Sequence, residues 1–332
     1  MGSRVELLNQ LDSNLGKSNI NNLIKDTPAR VVFKVFNYII LAIIGIISLA
    51  PLWHILMLSF SNPNLIPKAE GLVLWPFGLW PRPIEVDRLG NELVASLAGY
   101  KTIFKNQQLI RGYANTIFYV GAGCFLSVVF GALGAYCVSR RALFMPHLVV
   151  IMMISMFFSG GMIPLYMVNK ALGLVDTRWV IVLNGMVSIF NILILMMAFR
   201  NLPEGLEESA QLDGAGHLTY LFKIALPLVK ASIAVITLMY AIGKWNEYIT
   251  AQIYLRNPKL FPLQIILRQI LVDTNLPADL ASEVNSQAGS QGDLKLIIEY
   301  ATTIVGTAPL LCIYPFIQKY FVKGIMIGSM KG

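Results

Sequence analysis

The chain has 332 residues, 56% of them hydrophobic and only 13% charged, with a mean hydropathy of +0.64. An average soluble domain carries about twice that share of charge, so the composition points to a bilayer. The net charge of +8 does not make the chain a nucleic-acid binder, because no basic run with interleaved aromatics occurs and the Lys and Arg residues are scattered among loops.

A bilayer-spanning helix needs about 20 mostly apolar residues. After a polar N-terminal segment, 1–34, uncharged runs of that length occur at 35–60, 113–139, 148–169 and 179–199, and a nearly equal one at 300–318. A sixth, 228–250, contains Lys230, Lys244 and Glu247 but is apolar between the lysines. The expected fold is therefore an all-α polytopic membrane protein with six transmembrane helices in a membrane domain, 35–332. Long outer loops lie at 61–112 and 251–299, and an inner loop at 200–227 joins the fourth span to the fifth. Six spans put both termini on one side, and the short connector carrying Arg140 and Arg141 without an acid assigns that side to the cytoplasm. Lys and Arg divide 13 inside to 12 outside, with Lys244 inside a span, because the outer loops are long and long loops translocate regardless of charge. The first apolar run is too long for a signal-peptide core and is read as an anchor.

In the first outer loop, Trp75 and Trp80 have two readings, at the headgroup level or packed on helix ends. The second span carries Gly123, Ser127, Gly131 and Ala135 on one face, which predicts close helix packing first and pore lining second. The third contains Gly160, Gly161 and Pro164, which loosen the backbone ladder and predict a span that is bent and buried. No internal repeat is visible, so six spans read as half a pathway rather than a complete secondary transporter. Cys124, Cys137 and Cys312 fall within spans as small hydrophobes, with no disulfide or metal framework. His54, His147 and His217 are isolated and read as structural.

The inner loop, "EESAQLDGAGHLTYLFKIALP" at 207–227, is the polar exception. Asn201 is placed to cap a helix, Pro203 sits early in it, and Glu204, Glu207 and Glu208 favour the positive end of its dipole. Gly214-Ala215-Gly216 ends that helix, after which Leu218, Leu221, Ile224 and Ala225 resume helical spacing. Two short helices joined by a glycine turn are predicted, and periodicity alone reads them as amphipathic and interfacial.

This stretch resembles the cytoplasmic signature loop of ABC-importer permeases: Glu-Ala-Ala, three residues, Gly, nine residues, Ile, one residue, Leu-Pro. Glu208, Ser209 and Ala210 fill the triplet, followed at the required intervals by Gly214, Ile224 and Leu226-Pro227; only Ser209 departs from the pattern. "FSGGMIPLY", "FRNLP", "WNEY" at 245–248 and the C-terminal "YPFIQKYFVKGIMIGSMKG" are similar to the sugar-uptake branch, close to the lipoprotein and multiple-sugar type permeases. The resemblance runs from about the first span to the last residue, although the outer segment 75–98 is longer than the pattern.

The resemblance implies a coupling helix docked in a groove of a separate ATPase. Glu207, Glu208, Ser209, Ala210, Asp213, Gly214 and Ala215 would couple to the ATPase, and Ile224, Leu226 and Pro227 would end the coupling helix. Gly214 would supply the turn and Glu208 a charge-assisted bond to a basic group of the partner. It also implies a related second permease subunit in a heterodimer, two ATPase subunits, and an extracellular or periplasmic sugar-binding protein. The setting would be the bacterial cytoplasmic membrane and the cargo a carbohydrate, either an oligosaccharide or a modified sugar. No GxxxxGK[ST] phosphate loop is present, so the chain is read as a non-enzyme without a cofactor of its own, ATP and Mg belonging to the partner ATPase.

Lys244 and Glu247, three apart near the outer side, are read first as a structural ion pair and second as sugar contacts. Trp245, Asn246, Glu247 and Tyr248 resemble sugar-binding chemistry and are candidates for a substrate pathway. The loop 251–299 reads as an ordered stem with a mobile tip, which in the sugar branch would probe the capture protein. The alternative function is a self-sufficient channel or ion-coupled secondary transporter; no motif favours a membrane enzyme.

Overall fold

The computed structural model describes residues 28–62, 65–66, 71–79, 97–140, 142–158, 160–271 and 295–313. Expectations for 1–27, Trp80, the tip of the second outer loop and the chain beyond 313 lie outside the described residues. Among the described residues the architecture is helical throughout, with no strand. The chain divides into two compact units, 1–54 and 55–332. The helix α1 (Pro28–Ser59) forms the first unit as far as His54, and its buried residues begin only at Met57. An apolar helix exposed along nearly its whole length, as at Phe33, Phe36 and Ile47, is suited to lipid.

The second unit contains α2 (Ala98–Lys105), α3 (Gln107–Ser139), α4 (Met145–Phe157), α5 (Met162–Ala171), α6 (Arg178–Leu183) and α7 (Ile189–Arg200). After these come α8 (Glu204–Leu212), α9 (His217–Leu228), α10 (Lys230–Trp245), α11 (Ile249–Tyr254), a 3-10 turn (Pro258–Leu260), α12 (Leu263–Leu271) and α13 (Lys295–Ile313). Three helices, α1, α3 and α13, are individually long and apolar enough to cross a membrane, and up to six spans result if each bent helix pair is counted as one.

The axis of the unit is α3, which packs against α10, α7, α12 and α6. It begins at Asn106, whose side chain accepts a hydrogen bond from the Leu109 amide at 2.8 Å, satisfying one of the free donors of the first turn. Its small-residue stripe is buried, and a Cβ at Gly123 would sit 3.3 Å from the stem of Lys244 on α10. The stripe therefore serves helix packing, the first of its two readings. The polar side chains near the start of α3 hold a neighbouring segment by its backbone. Asn115 donates to the carbonyls of Lys259 and Phe261 at 2.9 and 3.0 Å, Tyr119 donates to Leu260 O at 2.7 Å, and Thr116 accepts from the Leu263 amide at 2.8 Å. Where water is excluded, such bonds replace those the irregular backbone cannot make with itself.

Several expectations are corrected. The second span starts six residues early, at Gln107, because Asn106 caps it there. The third is bent by 106° between α4 and α5, as its glycines and proline require, but it is not buried: α4 has no buried residue and α5 only Asn169. Gly161 provides a backbone with φ of 85°, and a Cβ at Gly160 or Gly161 would meet nothing within 4 Å. These glycines serve the turn, not a close helix approach. The fourth span is interrupted at 184–188, where Gly185 has φ of 67°. The fifth ends at Trp245, leaving Glu247 beyond the helix. In the segment expected as the loop 251–299, α11, the 3-10 turn and α12 are ordered, with Leu263, Ile266 and Ile270 of α12 buried.

The packing of α12 on α3 depends on Gly112, where a Cβ would lie 2.5 Å from Ile266 Cδ1 and 3.3 Å from the Leu263 backbone. Gly112→Val is expected to lower the thermal midpoint of the purified protein, at a cost of about 1–3 kcal/mol for overpacking. Gly121→Val, on the same helix with nothing within 4 Å of its Cβ, should leave the midpoint unchanged.

Candidate functional site: the elbow between Arg200 and Leu228

The helix α7 ends at Arg200, with Asn201 as its C-cap, so Asn201 closes one helix instead of opening the next. Pro203 occupies the N-cap of α8, where its missing N–H costs nothing. At the other end the Gly214 amide bonds Gln211 O at 3.0 Å and the Ala215 amide bonds Ala210 O at 2.9 Å. That pair of bonds is a Schellman closure, and its left-handed residue is Gly214, with φ of 79°. The chain turns into α9, whose residues Leu221–Ala225 form a π-helical turn. At Val229 the direction changes by 83° into α10.

One face of this elbow is sealed against the membrane core. Ala210, Tyr220, Leu221 and Ala225 are buried with Ala135, Tyr136, Leu195, Phe199 and Ile236 in one cluster, with Ile224 and Leu226 at its margin. A cavity of about 1140 Å³ opens between the 140–146 connector and α8, lined by Arg140, Glu207, Glu208, Gln211 and His217 among others. Across it Arg140 forms an ion pair with Glu207. The guanidinium also lies 4.0 Å above the centre of the Tyr136 ring and 5.6 Å from that of Tyr220. Burial pulls the Arg140 pKa below its ordinary value, while burial and then the Glu207 carboxylate raise that of Tyr220. The guanidinium remains charged in this setting, and the aromatic faces compensate part of its lost hydration.

The rim of the cavity and the end of α8 are open. Glu208, Asp213 and Gly214 are exposed, and Ser209 turns its hydroxyl back to Gly205 O at 2.5 Å. Glu208 makes no hydrogen bond or ion pair among the described residues. Leu212 is 89% exposed at the tip of α8, and Leu218 and Phe222 on α9 are exposed as well. Sequence reasoning grouped Glu207 with Glu208, but the structure gives them different partners: Glu207 pairs with Arg140, whereas Glu208, which lines the same cavity, is exposed and pairs with none of the described residues. It also missed Arg140, Tyr136 and Leu212. The basic connector and a lone Leu before Asp-Gly were visible in the sequence, but their meeting at the elbow depends on the tertiary fold.

The expected Lys244–Glu247 ion pair is absent. Lys244 Nζ instead donates to Ile181 O at 2.6 Å and Asn184 O at 2.5 Å, while Glu247 accepts from Thr250 Oγ1 at 2.5 Å. The physical reason is the end of α10 at Trp245, which turns Glu247 toward α11. Trp245 is buried in the core, with Tyr113 6.4 Å away ring to ring. Asn246 is exposed with its amide on Ile242 O, and Tyr248 is half-buried beneath Arg268.

Residues 120–327 match the family described as binding-protein-dependent transport system inner membrane component. The chain belongs to this family. Protein LplC of Bacillus subtilis (strain 168) is 35% identical over 92% of this chain and 97% of its own length. The polygalacturonan/rhamnogalacturonan transport system permease protein YtcP of the same organism is 34% identical over 91% of this chain and 99% of its own. Among solved structures, a chain of a bacterial ABC transporter involved in the import of the acidic polysaccharide alginate aligns with a TM-score of 0.76 and 28% identity. That alignment covers 90% of this chain and 99% of the other. The chain is thus a polytopic permease subunit of a binding-protein-dependent importer, and the reading as a self-sufficient channel or carrier is set aside.

For this permease the inward bond of the elbow is testable by a double-mutant cycle. Arg140→Met and Glu207→Ala are each expected to lower thermal stability, with a non-additive interaction of about 0.5–3 kcal/mol. Strict additivity in the cycle would mean that the two side chains do not act on each other.

Proposed function

We propose that this permease subunit carries a carbohydrate, an oligosaccharide or modified sugar, across the bacterial cytoplasmic membrane under the drive of a separate ATPase. The observation that carries this reading is the elbow, braced from within by Arg140, Tyr136 and Tyr220 and exposed at Glu208, Leu212 and Gly214. A surface of that kind suits docking into a groove of a partner. Leu212 supplies apolar area, Glu208 an unpaired carboxylate for a basic group, and the Schellman turn a fixed shape. The carbohydrate class is supported by the names of relatives, which include permeases for arabinooligosaccharides and for melibiose, raffinose and stachyose.

In this reading six spans cross the membrane, both termini and the elbow lie in the cytoplasm, and α11 and α12 face outside toward a sugar-capturing protein. A second, related permease completes the pathway as a heterodimer. Two ATPase subunits bind ATP and Mg, and this chain holds neither. Ser209, Ala210, Asp213 and Ala215 shape the docked elbow, and Ile224, Leu226 and Pro227 close it. Asn246, Glu247 and Tyr248 are the residues of the 245–248 motif offered for sugar contact, an amide and a carboxylate for hydroxyls and a ring for C–H faces. Trp245 supports them from the core.

The test is Gly214→Asp. A Cβ at Gly214 would meet nothing within 4 Å, and Asp is among the side chains that best tolerate positive φ, so folding should survive. The variant is expected to insert into the membrane with its partners while losing transport-coupled ATP hydrolysis. Normal transport by this variant, or purification of the native chain without an ATPase and a second permease, would overturn the proposal.

A further inference from the structure

The fourth span is interrupted between α6 and α7, where a bilayer supplies no partners for the backbone groups released. Partners for three of them come from a single face of α10. Lys244 Nζ reaches the carbonyls of Ile181, inside α6, and Asn184, just past its end. One helical turn earlier, Tyr240 accepts the Ser188 amide at the start of α7, at 3.1 Å. Asn184 is held from a third direction, its side-chain oxygen accepting from Asn169 of α5 at 3.2 Å. The ammonium thus lies at the C-terminal, negative end of a short helix, bonded to carbonyl oxygens alone. Its stem is accommodated because α3 offers Gly123 at that level, where Cε, Cδ and Cγ of Lys244 would lie 3.3 to 3.4 Å from any added Cβ.

Unwound carbonyls at the end of a broken membrane helix are the setting in which ion-coupled carriers bind a cation. Here the cation is covalently part of the protein, and it sits on the helix that leads directly out of the elbow. The 16 residues of α10 span about 24 Å from Lys230 to Trp245. The elbow therefore lies at one end of α10 and the interrupted span at the other.

We infer that Lys244 is a positioning residue whose ammonium ties α10 to the outer half of the fourth span, so that movement entering at the elbow reaches α6. The inference rests on the importer reading. It assigns Lys244 to no contact with sugar: both its strong bonds are internal and the residue is buried, 5% exposed. Beyond α6 the link continues through Asp176, whose carboxylate accepts the amides of Arg256 and Asn257 at 2.9 Å each. Those two backbone bonds hold its pKa below the ordinary carboxylate value. Movement of α6 is in this way passed to the segment that precedes α12.

The experiment uses the whole importer in lipid nanodiscs, with the three native cysteines replaced and spin labels at Trp179→Cys on α6 and Ile242→Cys on α10. Both positions are exposed. With Lys244 intact, the distance between the labels is expected to stay narrow and unchanged between the nucleotide-free and ATP-vanadate states. Lys244→Met, which keeps length and removes the charge, should lose that constancy, giving a broad distribution that differs between the two states. Lys244→Ala should behave in the same way and recover the narrow distribution with n-propylammonium, which replaces the missing stem and ammonium. A distribution in either variant as narrow and invariant as with Lys244 would overturn the assignment, as would failure of n-propylammonium to narrow Lys244→Ala while the complex stays assembled. A separate label at Leu228→Cys reports the elbow. If that label ignores ATP-vanadate in the unaltered complex the importer reading fails, whereas an ATP-responsive elbow with a rigid α6–α10 pair in Lys244→Met sinks only the role of Lys244. Should neither Lys244 variant assemble, Lys244→Gln, which keeps a neutral donor but loses the ammonium and its reach to both carbonyls, is expected to broaden the same distribution, and an unchanged one would overturn the assignment.

Discussion

A lipid bilayer offers a broken helix no hydrogen bonds, and the membrane core of this permease is arranged to supply them from within. Close contact between α3 and α10 makes this feasible. Gly123, Ser127 and Gly131 remove side-chain bulk from α3, and α10 uses the space to carry Lys244 and Tyr240 against the gap in the fourth span. Larger residues on α3 would move α10 outward and leave the carbonyls of Ile181 and Asn184 without donors. The opposite end of α3 follows the same logic, with Asn115, Thr116 and Tyr119 satisfying the backbone around the 3-10 turn. Polar residues in this apolar chain are thus concentrated where regular structure stops.

The elbow is built on the same helix, at its other end. Tyr136 and Arg140 close α3 by gripping α8 and α9, so the exposed end of the elbow is braced against the axial helix of its unit. Two adjacent glutamates divide the work. Glu207 neutralises a partly buried guanidinium whose lost hydration the Tyr136 and Tyr220 rings compensate only in part, whereas Glu208 stays exposed, with no bond among the described residues. Because α7 enters the elbow and α10 leaves it, any displacement there is shared by both helices, and Lys244 ties the far end of α10 to α6, the first part of the span that α7 completes.

Much of this was legible in the residues. Apolar run lengths located the long apolar helices, the stretch from Glu208 to Pro227 holds the elbow, and its glycine turn appears where Gly214 demanded it. The bend of the third span followed from Gly160, Gly161 and Pro164, because those residues act on their own backbone. Longer-range features were not readable. Lys244 and Glu247 were paired by proximity along the chain, and nothing local reveals that α10 stops between them or that two carbonyls some 60 residues earlier in the chain are the better partners. The burial expected for the third span failed for a related reason: glycine in a membrane helix signals either a turn or a close approach, and only the neighbours decide which. The unequal roles of Glu207 and Glu208 depend likewise on Arg140, 67 residues away.

The widened turn at Leu221–Ala225 bears on the proline that follows it. In a regular helix the ring of Pro227 would strike the carbonyl of Lys223, four residues back, and leave it without a donor. Here the Leu226 amide reaches back five residues to Leu221 O, so the carbonyls ahead of the ring are already displaced from the usual ladder. Swapping in a residue that has an amide proton would restore a donor without restoring an acceptor in line with it. The imino acid is therefore accommodated by the local winding, and the chain can hold it two residues before the sharp change of direction at Val229 with little loss of backbone bonding.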